Sequence, residues 1–327
     1  MTLTTEQVKN FAHGYLTLTE QDGWLCFYRY TDAQRAFYVP PRYTLGVNDT
    51  TGMRLECTTD ATELSFDYDY HNGTRPYYCF DLYVNGELYS SVGKEWGWQD
   101  NYNDNGHLSF GLPAGTKRLT LWLPTIGYAK LKNVTLTDAT VLEWTSYEKT
   151  YLAIGDSITH GSAAFHPSNS FPARLARAWG VELFNHGLGG DFYNEKNLGD
   201  GFPTRPDYIT VLLGCNDWYN YSKERHEENC VAFYRRLNQL YPQNTIAVLT
   251  LLWNRDADQE KKMGGINVAR DVIIREVEKY PNMVLIPGQE LLPEDPDLLV
   301  DACHPSDKGY QVIVNNLKPR LEKIFGL

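Results

Sequence analysis

The residues best suited to do chemistry fall in four short segments of the back half of the sequence. Tyr151-Leu-Ala-Ile-Gly155-Asp156-Ser157 is an apolar run that ends on a serine, and Asn185-His-Gly187-Leu-Gly189-Gly190-Asp191 is a glycine-rich turn. Gly214-Cys-Asn216-Asp217 closes another apolar run, and Val300-Asp301-Ala-Cys-His304-Pro305 precedes the last helical pattern. A serine hydroxyl becomes a nucleophile when a base removes its proton and an acceptor orients that base. Asp301 and His304, three apart in one turn stiffened by Pro305, supply both groups. Glycine amides and the Asn216 side chain supply donors for a developing oxyanion. Taken alone, each segment has a plainer reading: Ser157 caps a helix, Asn216 caps the segment after it, and the glycines make a turn. The four together point to acyl transfer by serine. The surroundings of Ser157 are not the Gly-x-Ser-x-Gly elbow, since Thr159 stands where that motif has its second glycine.

From Tyr151 onward, short apolar runs at 151–154, 181–184, 208–213, 245–252 and 283–286 alternate with helical patterns at 171–179, 224–241, 260–279 and 308–325. That alternation predicts a parallel sheet between two layers of helices, with the four segments gathered at the carboxyl edge of the strands. The front of the chain reads differently. After a helical start at 5–12 come short runs that alternate apolar with polar residues, such as 24–28, 53–57, 63–68, 80–84, 119–123 and 131–136. Asn72-Gly73, Asn85-Gly86 and Asn105-Gly106 punctuate them and predict hairpin turns. The expectation is an all-β, jelly-roll-type sandwich over residues 1–148, followed by a three-layer αβα domain over 149–327.

A net charge of −11 argues against nucleic acid as a partner, and no apolar stretch approaches the roughly 18 residues of a membrane span. Residues 1–20 lack the basic start and apolar core of a secretion signal, so cytoplasm is the expected location. The six cysteines form no C-x-x-C pair and are read as reduced thiols. His160, His166 and His186 share no ligand spacing, and no nucleotide or phosphate fingerprint appears, so neither a metal nor a cofactor is expected.

In that order, Gly155-Asp-Ser157, Gly190, Gly214-x-Asn216 and Asp301-x-x-His304 resemble the four blocks of the SGNH (GDSL-type) hydrolases, over roughly residues 150–325. The resemblance implies a flavodoxin-like domain with Ser157 as nucleophile, His304 as base and Asp301 as its orienting carboxylate. It also implies an oxyanion hole made by Ser157, Gly190 and Asn216, with Gly187 or Gly189 as the fallback for the glycine. The front half is similar to the sandwich that precedes one subgroup, whose marker strand reads Cys79-Phe-Asp81-Leu-Tyr83 here. That two-domain design is similar to carbohydrate O-acetylesterases. The implied reaction is removal of short acyl groups, foremost acetyl, from an acylated carbohydrate or other small ester. A general short-chain esterase or thioesterase and a non-catalytic glycan-binding protein are the competing readings. Trp218 and Trp253, past the ends of two strands, and Trp96 and Trp98, in a glycine-flanked stretch of the front half, are the candidate sugar contacts. With His304 as base, activity is expected to fall below about pH 6.5.

Overall fold

The computed structural model describes residues 1–38, 46–71, 73–97 and 103–327. The front half is two antiparallel sheets packed face to face. One runs Ala12–His13, Arg54–Thr59, Lys117–Trp122, Tyr78–Val84, Glu87–Lys94, with Leu142–Trp144 also paired to Arg54–Thr59. The other runs Thr17–Gln21, Trp24–Tyr28, Tyr128–Thr137, Glu63–His71, Asp104–Gly111. Period-two patterning makes the core. Phe66, Tyr68 and Tyr70 turn inward from one strand of the second sheet and meet Phe80, Leu82 and Leu121 of the first.

The hairpin expectation holds in one place of three. Asn85 and Gly86, at φ 52° and 88°, join Tyr78–Val84 to Glu87–Lys94 as paired neighbours. Asn105 and Gly106 instead lie within a strand, opposite Asp69 and Tyr68, where the ladder outweighs turn propensity. Asn72 is outside the described residues, and the strands on either side of it belong to different sheets, so this connection crosses the sandwich rather than turning back on itself.

The chain passes into the second half between the strands Leu142–Trp144 and Thr150–Gly155. There, five parallel strands are ordered Glu182–Gly187, Thr150–Gly155, Tyr208–Leu212, Ile246–Leu249, Met283–Ile286. This is the 2-1-3-4-5 order of flavodoxin-like sheets, which opens a crevice beside the first strand. Leu152, Ile209, Val211 and Val248 face one helical layer, with Phe233, Leu237 and Ile273. Tyr151, Ala153, Ala247 and Leu249 face the other, with Leu175, Ile313 and Leu317. Being covered on both faces explains why these strands read as continuous apolar runs. The helix expected over 260–279 forms only from Ile266 to Val277, because Lys261 and Gly264 pair with each other in a turn ahead of it. Among the described residues, no helix is long and apolar enough to cross a membrane.

Polar side chains tie the halves together. Asp81 accepts from Ser168 Oγ at 2.7 Å and pairs with His166 at 2.8 Å. Glu182 accepts from the Gly14 N–H and meets His13 Nδ1, both at 2.6 Å. Tyr77 donates to the carbonyls of Ser162 at 3.1 Å and Ala164 at 3.2 Å, just beyond the serine.

Candidate active site

The strand Thr150–Gly155 delivers Ser157 to the first position of a four-residue helix, Ser157–His160. Asp156 is the cap, its Oδ1 accepting the Ile158 N–H at 3.0 Å, so capping falls to the aspartate and the serine hydroxyl is left for another partner. That partner is His304, whose Nε2 lies 2.8 Å from Ser157 Oγ. On the far side of the ring, Nδ1 is 2.8 Å from each oxygen of Asp301. The backbone N–H groups of Cys303 and His304 donate to Asp301 Oδ1 at 3.1 and 2.9 Å, which orients the carboxylate within its own turn. A 2.9 Å bond from Val300 N–H to the His304 carbonyl closes that turn.

The glycine-rich segment begins later than its composition suggests, since Asn185, His186 and Gly187 are still strand and the turn starts at Leu188. Gly190 adopts φ 80°, a left-handed conformation that favours glycine, and its N–H donates to no group among the described residues. Asn216 sits in the first turn of the helix Cys215–Asn220. Its side-chain amide donates to the Asp191 carbonyl at 2.7 Å, which joins it to the glycine turn and leaves its second N–H for a ligand.

Charge is distributed unevenly here. Burial raises the Asp301 carboxyl, but the His304 hydrogen bond and charge and the two backbone donors hold it well below the usual carboxylate range. Burial also works against the imidazolium of His304, yet hydrogen bonds and charge from Asp301 and Cys303 raise the ring to about 9. The expected loss of activity below pH 6.5 is therefore displaced upward. A hydrogen bond from the Cys215 thiol, aided by His304, overcomes burial and brings Cys303 down to about 5. Burial raises Asp156 to about 7 and Asp191 to about 8.

Two groups of described residues bring three possible metal ligands within 4.8 Å: Asp301, Cys303, His304 and Cys79, Asp81, His166. In both, a histidine nitrogen already stands 2.8 Å from a carboxylate oxygen, the spacing of a shared proton rather than of ligands around a cation.

The tryptophans divide. Trp218 is fully enclosed and donates its indole N–H to the Gly264 carbonyl at 2.9 Å, so it packs the core and presents no face to a substrate. Trp253 is half-buried and lines, with Asp156, Ile158, Cys215 and Cys303, a cavity beside the strand end. Trp96 is 51% exposed and stacks on Tyr77 at 4.8 Å between ring centroids. Trp98 lies outside the described residues. One neighbour of the site carries no sequence signal: Arg75, on the crossing loop of the front half, reaches to 3.5 Å from Asp301 Oδ2 and 3.2 Å from His304 Nδ1.

The GDSL-like lipase/acylhydrolase family model matches residues 153–312. No curated protein matches the chain. Among solved structures, the chain is similar to a salicylyl-acyltransferase from a tetracycline biosynthetic pathway, at 25% identity over 97% of this chain and 94% of that one, with TM-score 0.78. It is also similar in fold to a putative GDSL-like lipase from Bacteroides ovatus, at 21% identity, 96% and 95% coverage and TM-score 0.77. An acetyl xylan esterase from Butyrivibrio proteoclasticus shares the fold at 14% identity, 98% and 97% coverage and TM-score 0.63. Residues 153–312 thus carry a GDSL-like lipase/acylhydrolase domain, and the protein is an ester hydrolase.

Proposed function

We propose that this acylhydrolase removes short acyl groups, foremost acetyl, from carbohydrate hydroxyls, with Ser157 as nucleophile. The observation that carries the reading is the continuous hydrogen-bonded path from Ser157 through His304 to Asp301, together with the bond that ties the Asn216 amide to the turn holding Gly190. His304 Nε2 takes the hydroxyl proton as Ser157 Oγ bonds to the ester carbon, and the carbonyl electron pair moves onto its oxygen. The N–H groups of Ser157 and Gly190 and the second amide N–H of Asn216 receive that charge, each worth about 3 kcal/mol in the transition state. Collapse breaks the ester C–O bond, His304 returns the proton to the departing sugar oxygen, and the acyl group stays on Ser157. Water, deprotonated by the same ring, then releases the acid and restores the serine. Asp301 keeps its proton-bearing contact with Nδ1 throughout and stabilises the imidazolium.

Support for a sugar comes from the exposed Trp96, whose stacking partner Tyr77 is tied to the backbone just past the nucleophile. An aromatic face on that rim suits a pyranose ring. The acetyl xylan esterase of similar fold points the same way. Acetate release from an acetylated oligosaccharide, followed in wild type and Ser157→Ala, tests the mechanism; an unchanged rate in the variant refutes it. Rates on acetylated sugars, aryl esters and thioesters of rising chain length test the substrate. Preference for acyl chains beyond about four carbons, or for thioesters, would overturn the acetyl reading.

The 25% identical salicylyl-acyltransferase favours a second reading, in which an alcohol rather than water resolves the acyl-enzyme. Adding alcohol acceptors and measuring how product divides between acid and new ester separates the two.

A further inference from the structure

His160 takes no part in the proton path proposed above, yet it is enclosed where the two halves meet. It ends the short helix that begins with Ser157 and is 1% exposed. Its Nδ1 accepts the backbone N–H of Gly189 at 3.2 Å. A ring nitrogen that accepts from an amide carries no proton, so in the neutral ring the proton is on Nε2. Nε2 lies 3.1 Å from Oδ2 of Asp49, a fully buried carboxylate of the front half. The contact is close though not straight, and Asp49, through this contact and its charge, favours a proton on the ring, with the Thr125 backbone acting in the same sense.

The surrounding polar groups clamp the same strand end. Arg29 of the front half, also fully buried, donates through Nη1 to the carbonyls of Asn185 at 2.8 Å and Gly187 at 2.7 Å, and through Nε to the Asp49 carbonyl at 3.2 Å. Asn185 Nδ2 donates to the Thr159 carbonyl at 2.9 Å. At position 187 a Cβ would stand 2.2 Å from the His160 backbone nitrogen, so glycine is what lets the strand end come this close. Beyond Leu188, two glycines in succession have wide backbone freedom, and the contact from His160 to Gly189 limits it immediately before Gly190.

We propose that His160, its proton held on Nε2 by Asp49, is a positioning residue that aims the Gly190 N–H at the oxyanion, so that the β-sandwich half is a working part of the acyl-transfer site. This rests on Ser157 as nucleophile and Gly190 as donor. A donor that serves mainly the transition state changes kcat more than KM when it is displaced.

The test compares His160→Leu, which removes the acceptor at similar bulk, with His160→Asn, whose amide oxygen stands near the place of Nδ1. Both are assayed on one acetyl ester, with active sites counted by a phosphonate that labels Ser157. His160→Leu is expected to lower kcat about 10- to 100-fold with KM within about twofold, as a displacement of about 1 Å in a reacting group does. His160→Asn is expected to recover most of that loss. Binding of a boronic acid transition-state analogue should weaken in step with kcat/KM. A wild-type kcat in His160→Leu, a loss confined to KM, or no recovery in His160→Asn overturns the proposal. Nitrogen-15 spectra of the wild-type imidazoles test it without any variant: His160 protonated at Nε2 supports it, and protonation at Nδ1 overturns it. Wild-type activity in Ser157→Ala would remove the nucleophile assignment itself, a result distinguishable from a silent His160→Leu in an enzyme that Ser157→Ala inactivates.

Discussion

Two histidine–aspartate pairs lie close to Ser157, and they differ in which ring nitrogen the carboxylate meets. In the loop pair, Asp301 takes Nδ1 and leaves Nε2 facing the serine hydroxyl at 2.8 Å. In the interior pair, Asp49 takes Nε2 and leaves Nδ1 facing the Gly189 N–H at 3.2 Å. A ring whose open nitrogen meets a hydroxyl can accept a proton and hand it on. A ring whose open nitrogen is filled by a backbone amide has nothing to exchange with and holds that amide in place. Their surroundings differ in the same sense. Burial dominates at His160 and, with the Arg29 charge, lowers its pKa despite Asp49, which keeps the ring neutral. At His304 burial is outweighed by Asp301 and Cys303, and the ring is raised to about 9. On the proposed roles, the same two side chains serve as proton carrier or brace according to which nitrogen the acid takes and how deeply the ring is buried.

The largest expected effect separates the pairs directly. His304→Ala should lower kcat by about 10⁴-fold or more, against the one to two orders of magnitude set out for His160→Leu, because it removes the base itself. Equal losses in steady-state assays would erase the distinction between carrier and brace.

Next in size is coupling at the oxyanion. Asn216→Ala should cost about 10²- to 10³-fold in kcat. Because the Asn216 amide also holds the Asp191 carbonyl, the double variant with His160→Leu should lose less than the product of the two single losses. Full additivity in the double-mutant cycle would place the two residues on independent structures.

A smaller effect concerns pH. His304 must be neutral to act, and its raised pKa means that kcat/KM should climb with pH through a midpoint above 6.5, toward 9. Cys303→Ala removes one of the groups that favour the imidazolium and should move that midpoint down. A midpoint at 6.5 in wild type, or no movement in the variant, would show that Asp301 and Cys303 do not set the ring's affinity for protons. The smallest effect is expected from Arg75→Ala. A cation 3.2 Å from His304 Nδ1 disfavours the imidazolium, so its removal should shift the same midpoint slightly upward, opposite in sign to Cys303→Ala.

Much of the site is legible in the order of its residues, because its parts are local. Asp301 and His304 share one turn, the apolar run into Gly155-Asp156-Ser157 is one strand and its cap, and Asn85-Gly86 is one hairpin; each needs only neighbours in the chain. Where composition misleads, the deciding partners are far away. Asn105-Gly106 has the composition of a turn but gains more from the ladder to Tyr68 and Asp69. Trp218 follows a strand end, as a substrate contact would, yet the turn ahead of the helix Ile266–Val277 folds over it and takes its N–H. Ligand spacing gives His160 no role, and spacing is a criterion that cannot reveal a bond to a backbone amide.

The amino-acid sequence by itself determined the two textures, strand-and-turn then strand-and-helix, and the four segments from which the proposed site is built. Periodicity and turn chemistry are encoded within a few residues, and a parallel sheet gathers its strand ends at one edge. Only the tertiary structure decided that Asp49, Arg29 and Arg75 of the front half stand against the site in the back half. It likewise decided which nitrogen of each histidine meets its acid. Those choices depend on packing between surfaces distant in the chain, where burial and the few buried partners available set the protonation and placement of every polar group.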